Sequence, residues 1–202
     1  MIGISDDRFI PGLSKLVAAA HRHGALMAAQ LFHGGRYVRS GLIGRQPIAP
    51  SPIASGITRE VPREMSPADI QDTIANFADA AARAKRAGFD AVEVLAGTGY
   101  LISEFFSPLT NQRTDEYGGS PDRRMRFGIE VAWAIREAVG PGFPVVFRIA
   151  GHDFMAGGTP HKEAAPFAYL LEQHGVDAFS VTGGWHETVV SELALDVPRG
   201  AF

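Results

Sequence analysis

Four short clusters of polar residues interrupt apolar runs of this 202-residue chain. They are Gln30 with His33, Glu93 with Tyr100, Arg148 with His152 and Asp153, and Trp185-His186-Glu187. Gln30 stands between Ala28-Ala29 and Leu31-Phe32. A buried amide needs partners, so Gln30 either holds backbone or reads a ligand with paired donors and acceptors. In Val145-Val146-Phe147-Arg148-Ile149, strand alternation turns the guanidinium away from Phe147 and Ile149. A cation held there is costly unless paired. Its partner is either Glu93, as an internal salt bridge, or an anionic ligand. Tyr100 and His186 form a candidate pair, a proton donor and a group that orients or recharges it. Taken singly, each also suits a packing role.

The elements that must position these residues are marked by their ends. Arg8 to His23 reads as a helix, with Phe9, Leu13, Leu16, Val17 and Ala20 on one side and Gly24 as its stop. Ser66-Pro67-Ala68-Asp69 reads as an N-cap, a first-turn proline and an acidic residue closing a capping box, and that helix runs to Gly88. Ser120-Pro121 opens a third helix ending at Gly140, and Thr159-Pro160 a fourth ending at Gly175. Each start offers an oxygen to the orphan amides of the first turn. A short apolar strand follows each helix: Leu26 to Phe32, Ala91 to Leu95, Val145 to Ile149, and Phe179 to Thr182. Strands alternating with helices imply a parallel sheet of right-handed βα units.

Two junctions repeat closely, Ala87-Gly88-Phe89-Asp90-Ala91-Val92 and His174-Gly175-Val176-Asp177-Ala178-Phe179. A recurring junction favours an α/β barrel of the (β/α)8 type over a doubly wound sheet, because no Gly-x-Gly-x-x-Gly follows any strand. The count does not close. Four strands are legible where a barrel needs eight, and a whole barrel takes about 250 residues. Tyr37 to Glu64, rich in Pro, Gly and Ser, reads as a long loop too irregular for another βα pair. The expectation is an incomplete TIM barrel, the central part of a larger one, with residues 1–202 forming a single partial domain. In such folds the loops leaving the C-terminal ends of strands hold the chemistry. Ala91 to Gly119, a strand followed by Gly97-Thr98-Gly99-Tyr100 and a long polar loop, is therefore the first stretch to inspect.

Composition narrows the classes. An apolar fraction of 46% supports a sizeable core, and 19 basic against 22 acidic residues leave a net charge of −3. No basic field exists to hold nucleic acid. The chain has no cysteine, which excludes disulfides, thiolate metal sites and iron–sulfur ligation by its own residues. No apolar run reaches membrane-spanning length, and the first residues lack a signal core. A soluble cytoplasmic protein with no membrane partner is expected. His21, His23 and His174 fall at helix ends, where capping carbonyls explains them. Arg113, Asp115, Arg123, Arg124 and Arg126 are expected to form an ion-pair network that fixes the long loop.

Two segments have a specific resemblance. One is Gln30-Leu31-Phe32-His33-Gly34-Gly35-Arg36. The other runs from Ser107 through Asn111-Gln112-Arg113-Thr114-Asp115-Glu116-Tyr117-Gly118-Gly119 to Arg124-Met125-Arg126-Phe127. Together they resemble the old yellow enzyme family of NADH:flavin oxidoreductases, and the likeness covers essentially all 202 residues. The resemblance implies a TIM barrel holding FMN. Gln30 would bind the polar edge of the flavin pyrimidine, and Arg148 would sit beside its N1–C2 carbonyl edge and balance negative charge there. Tyr100 would protonate the substrate carbon next to an activating carbonyl, with His186 assisting. Many members grip that carbonyl with a His-x-x-His or His-x-x-Asn pair, whose positions are Leu95 and Thr98 here. Glu93 to Ile102, Gly183 to Glu187 and Val197 to Phe202 are more similar to the 2,4-dienoyl-CoA reductase branch, whose catalytic pair matches Tyr100 and His186. The implied reaction is reduction of an activated C=C bond in an enone, enoyl-CoA or dienoyl-CoA, with NADH or NADPH as donor. An iron–sulfur cluster and FAD would belong only to a C-terminal extension.

Other readings stay open at this level. A metal-dependent barrel hydrolase would use His33, His152, His186, Asp153 and Glu93 as ligands. A Schiff-base aldolase lacks its lysine, since Lys15, Lys85 and Lys162 fall on helices. A non-catalytic partial barrel with exposed strand edges would act by associating with another chain, and homo-oligomerisation is likewise open. In the old yellow enzyme family the first strand contacts the flavin, and loops after the last two strands hold its phosphate. These 202 residues alone are therefore expected to bind FMN weakly or not at all. Flavin retained at stoichiometric occupancy through gel filtration would overturn that expectation.

Overall fold

The computed structural model describes residues 2–188; the Val197–Phe202 resemblance lies outside them. Strands β1 (Ala28–Leu31), β4 (Ala91–Ala96), β5 (Val145–His152) and β6 (Ala178–Gly183) form a parallel sheet in that order. Two further strands, β2 (Ile48–Ala49) and β3 (Arg63–Glu64), pair with each other in parallel. The helices are α1 (Ile10–His21), α2 (Ser40–Ile43), α3 (Pro67–Ala87), α4 (Leu101–Phe106), α5 (Pro121–Val139) and α6 (His161–Gln173). The expected alternation holds, and the sheet is part of a barrel. Two details differ. The Tyr37–Glu64 stretch is not wholly irregular, since it contains α2 and the β2–β3 pair. The first helix starts later than expected, after a single 3-10 turn over Asp7–Phe9 capped by the Asp6 carboxylate.

One-sided burial gives the sheet its shape. Val92, Val94 and Ala96 of β4 and Val145, Phe147 and Ile149 of β5 are buried in the core beneath α3 and α5, which pack against each other. The residues between them, Glu93 and Arg148, turn to the opposite, inner face of the barrel. Ala29 and Leu31 of β1 likewise face the helices, so Gln30 stands on the inner face, exposed rather than buried.

The repeated junction has a physical role. Asp90 accepts the Met27 amide at 2.7 Å, immediately before β1. Asp177 accepts the Val145 amide at 2.7 Å, at the start of β5. Each aspartate thus ties the foot of its own strand to that of the preceding neighbour in the sheet. His21 pairs with Asp90 at 2.8 Å instead of capping carbonyls, whereas His174 does contact a helix carbonyl, that of Leu170, at 2.7 Å.

The long loop after α4 is held by buried side chains. Arg113 donates to the carbonyls of Pro50 (3.0 Å) and Met65 (2.7 Å) and pairs with Asp115. Asn111 donates to the carbonyls of Phe105 and Tyr117 at 2.6 Å each. Arg124 joins the Phe106 carbonyl to Glu163, and Arg126 pairs with Glu116 and Glu130. Arg123 takes part in no ion pair among the described residues.

Of the three expected capping oxygens, only Ser66 acts. It accepts from the Asp69 amide, and Asp69 accepts from the Ser66 amide in return. Ser120 makes no capping bond, and the N-cap of α6 is Pro160, which has no side-chain acceptor; the Thr159 amide donates to Asp153 at 2.7 Å, while its buried hydroxyl has no partner among the described residues. Arg63 first, and then Ser66, hold the Asp69 carboxyl well below the usual carboxylate range. A depressed folded-state value means that this stabilisation is present above the unfolded value, about 4, and is lost as pH falls below it. Ser66→Ala should lower unfolding stability by about 1 kcal/mol at neutral pH. Asp69→Asn should flatten the acid limb of stability against pH; denaturant titrations between roughly pH 2 and 7 check both.

Candidate active site

The turn after β4 aims the first candidate side chain. Thr98 and Gly99 adopt φ of 57° and 84°, so the chain reverses direction directly after the strand. Thr98 also forms a parallel bridge with Trp185, linking this turn to the one after β6. A Cβ at Gly99 would fall 2.5 Å from the Tyr37 hydroxyl, so the close approach of Tyr37 requires glycine there. Tyr100 emerges as the N-cap of α4, and its carbonyl accepts the Glu104 amide at 2.8 Å.

Three loops bring their rings together. Tyr100 and His186 meet edge to face, ring centroids 5.0 Å apart at 76°. Tyr37, from the loop after β1, lies 6.0 Å from the Tyr100 ring and 5.4 Å from the His186 ring, edge-on to both. Phe32 closes the other side of Tyr100 at 5.0 Å. The Tyr100–His186 pair named from sequence is therefore in contact, with His186 open to solvent.

Beneath the rings lies a charged clamp. Glu187 accepts from the Arg36 guanidinium, from the Gly56 amide, and from the Tyr37 hydroxyl at 2.9 Å. Arg36, only 4% exposed, also donates to the Ala54 carbonyl at 2.9 Å and lies 5.3 Å from the centroid of the buried Trp185 ring. Burial, reinforced by Glu187, pushes the Tyr37 phenol well above the usual range, so it stays protonated. Glu104 is fully buried and accepts the Arg36 amide at 2.9 Å. Burial pushes its carboxyl up to about 8 against that hydrogen bond. Loss of solvent, with Arg45 nearby, lowers His33 to about 4, so its ring is neutral; its Nδ1 accepts the Gly35 amide at 3.1 Å.

Sequence reasoning did not single out Tyr37 or Glu104, and gave Glu187 no distinct role. A signal existed for Glu104, a lone carboxylate in the apolar run Leu101-Ile102-Ser103-Glu104-Phe105-Phe106. For Tyr37 there was none, since its partners lie on distant loops.

A second group of residues occupies the inner face. Gln30 donates to Glu93 at 2.5 Å across the β1–β4 pair. Arg148, opposite Leu95 in register, forms no salt bridge with Glu93, and its buried Nε has no partner among the described residues. The internal ion pair is therefore not formed, and an orphaned guanidinium nitrogen lies on the same face as Gln30. The remaining polar residues have local work. Asp153 accepts from Ser107 (2.9 Å) and the Thr159 amide, and His152 Nδ1 accepts the Phe154 amide at 2.7 Å. Among the described residues no three His, Asp or Glu side chains converge as metal ligands, so the hydrolase set stays dispersed.

Comparison with known proteins places this geometry. The model of the NADH:flavin oxidoreductase / NADH oxidase family matches residues 1–202. A metal reductase of Desulforamulus reducens is 52% identical over the whole chain, which spans 30% of that protein. An NADH oxidase of Thermoanaerobacter brockii is 41% identical over 191 residues, 94% of the chain and 29% of the relative. Among solved structures, a 2-naphthoyl-CoA reductase in complex with 2-naphthoyl-CoA superposes with a TM-score of 0.87 at 37% identity, over 92% of this chain and 30% of the other. Morphinone reductase in complex with tetrahydroNAD gives 0.80 at 34% identity, over 89% of this chain and 55% of the other. The chain thus spans less than a third of the curated relatives named here. With its full length matched and its parallel strands overlaying flavin-reductase barrels, the chain belongs to the NADH:flavin oxidoreductase / NADH oxidase family.

Proposed function

We propose that this chain forms the central part of an FMN-dependent reductase that adds hydrogen across an activated C=C bond, of enone, enoyl-CoA or dienoyl-CoA type. The observation supporting it is the Tyr100–His186 contact at the C-terminal end of the sheet, above a face that presents Gln30 and an unpartnered Arg148. Those two residues fit a flavin. Gln30 offers an amide with both donor and acceptor, and Arg148 a cation whose Nε lacks an acceptor. FMN, when bound, supplies the hydride and accepts electrons from NADH or NADPH.

The chain's own residues do the rest. Gln30 and Arg148 would hold the cofactor's polar edge, where the guanidinium would favour negative charge. The Tyr100 hydroxyl gives its proton to the carbon next to the substrate carbonyl, and His186, open to solvent, orients that hydroxyl and returns its proton. Leu95 and Thr98 offer no imidazole or amide to the carbonyl, leaving His186 as the imidazole beside Tyr100. The likeness to a 2-naphthoyl-CoA reductase favours an acyl thioester as substrate. A cluster or FAD would require segments beyond these residues.

The metal reductase relative, 52% identical, supports a second acceptor, a metal ion taking electrons without a proton to carbon. One variant separates the two. In a chain extended to a closed, FMN-loaded barrel, Tyr100→Phe should lower turnover of an enone or enoyl thioester by about 10²- to 10⁴-fold. NADPH- or NADH-driven ferricyanide reduction should be unaffected. Unchanged C=C turnover would remove Tyr100 as proton donor. Arg148→Met should weaken FMN binding roughly ten- to hundredfold, the loss of a charge-assisted hydrogen bond, read by flavin fluorescence titration.

A further inference from the structure

We propose that Glu187 and Tyr37 are positioning residues for the Tyr100–His186 pair, a role that rests on the reading of that pair as the proton-delivery site. Tyr100 and His186 come from different loops, after β4 and after β6, and neither ring makes a hydrogen bond that fixes it among the described residues. Their relative placement is set from below. Tyr37 is edge-on to both rings, so it buttresses the pair from one side. Its hydroxyl is fixed by Glu187 at 2.9 Å. Glu187 directly follows His186 in the chain, so whatever holds Glu187 holds the histidine's backbone.

Glu187 is held from three directions. The Arg36 guanidinium and Tyr37 hydroxyl reach its Oε2, and the Gly56 amide reaches its Oε1. Arg36 and Tyr37 belong to the loop after β1, and Gly56 to the excursion between β2 and β3. One carboxylate therefore ties the loop after β6 to two separate segments on the β1 side of the sheet. Every donor reaching it is an N–H or O–H, so only an anion with acceptors on both oxygens satisfies the set. A glutamine would present an NH2 group to one of those donors. The Tyr37 hydroxyl spends its proton on Glu187, so Tyr37 acts here as a fixed ring.

The test uses the extended, FMN-loaded barrel carrying Tyr37→Phe, Glu187→Gln or Tyr100→Phe, with crotonyl-CoA and 2-cyclohexenone as probes. For Tyr37→Phe and Glu187→Gln, kcat should fall about ten- to hundredfold, as expected when reacting groups are displaced by about 1 Å. KM should stay within about twofold, and FMN content and ferricyanide reduction should match the unmodified protein. An NMR readout needs no turnover: the ring protons of His186 lie beside Tyr37 and Tyr100 and should shift in both variants. Unchanged kcat and unchanged His186 resonances, with Tyr100→Phe impaired, would overturn the positioning role alone. Loss of FMN and ferricyanide reduction along with kcat would also overturn it, marking a structural role. Unchanged kcat in Tyr100→Phe would instead overturn the proton-donor reading.

Discussion

One-sided burial of the two central strands is the constraint on which the rest depends. Val92, Val94, Phe147 and Ile149 have no stable place except beneath α3 and α5. Side chains alternate along a strand, so committing these residues to the helices commits Glu93 and Arg148 to the inner face. A one-residue slip of either strand would place a carboxylate or a guanidinium in the core and leave apolar side chains on the inner face. The charged face is thus specified by the apolar one. Asp90 and Asp177 add a local pin, each bonding the amide at the foot of the neighbouring strand.

Above this sheet the loops bring Tyr37, Tyr100 and His186 together, and buried polar side chains help to order them. Arg113, Asn111 and Arg124 each satisfy backbone carbonyls of the segments they join. The same device recurs at the site, where Arg36 and Glu187 link three loops. Removing one member of such a set leaves the others buried and unpaired, which costs more than the bond itself contributes. Loops held in this way can place the Tyr37, Tyr100 and His186 rings reproducibly.

Much of the fold was legible because its signals are local. Helix starts at Ser66-Pro67 and Ser120-Pro121, stops at Gly88 and Gly140, and the apolar runs of β4 and β5 need only neighbouring residues to be read. That Ser120 and Thr159 do not cap was not legible, because hydroxyl geometry depends on the packed loop. Gln30 and Arg148 were identifiable as polar residues inside apolar strands. Whether Arg148 paired with Glu93 was a matter of which residues face each other across β4 and β5, and the register sets Arg148 beside Leu95 instead.

The sequence by itself determined the parallel α/β architecture, the partial barrel, the family, and Tyr100 with His186 as residues at strand ends. Periodicity, caps and contiguous motifs encode these within a few residues. Only the tertiary structure decided that Tyr100 and His186 touch, that Tyr37 stands against both, and that Glu187 joins Arg36, Tyr37 and Gly56. Arg36 and Glu187 are 151 positions apart in the chain. Contacts of that range arise when strands assemble side by side, and no local pattern of residue types can record them.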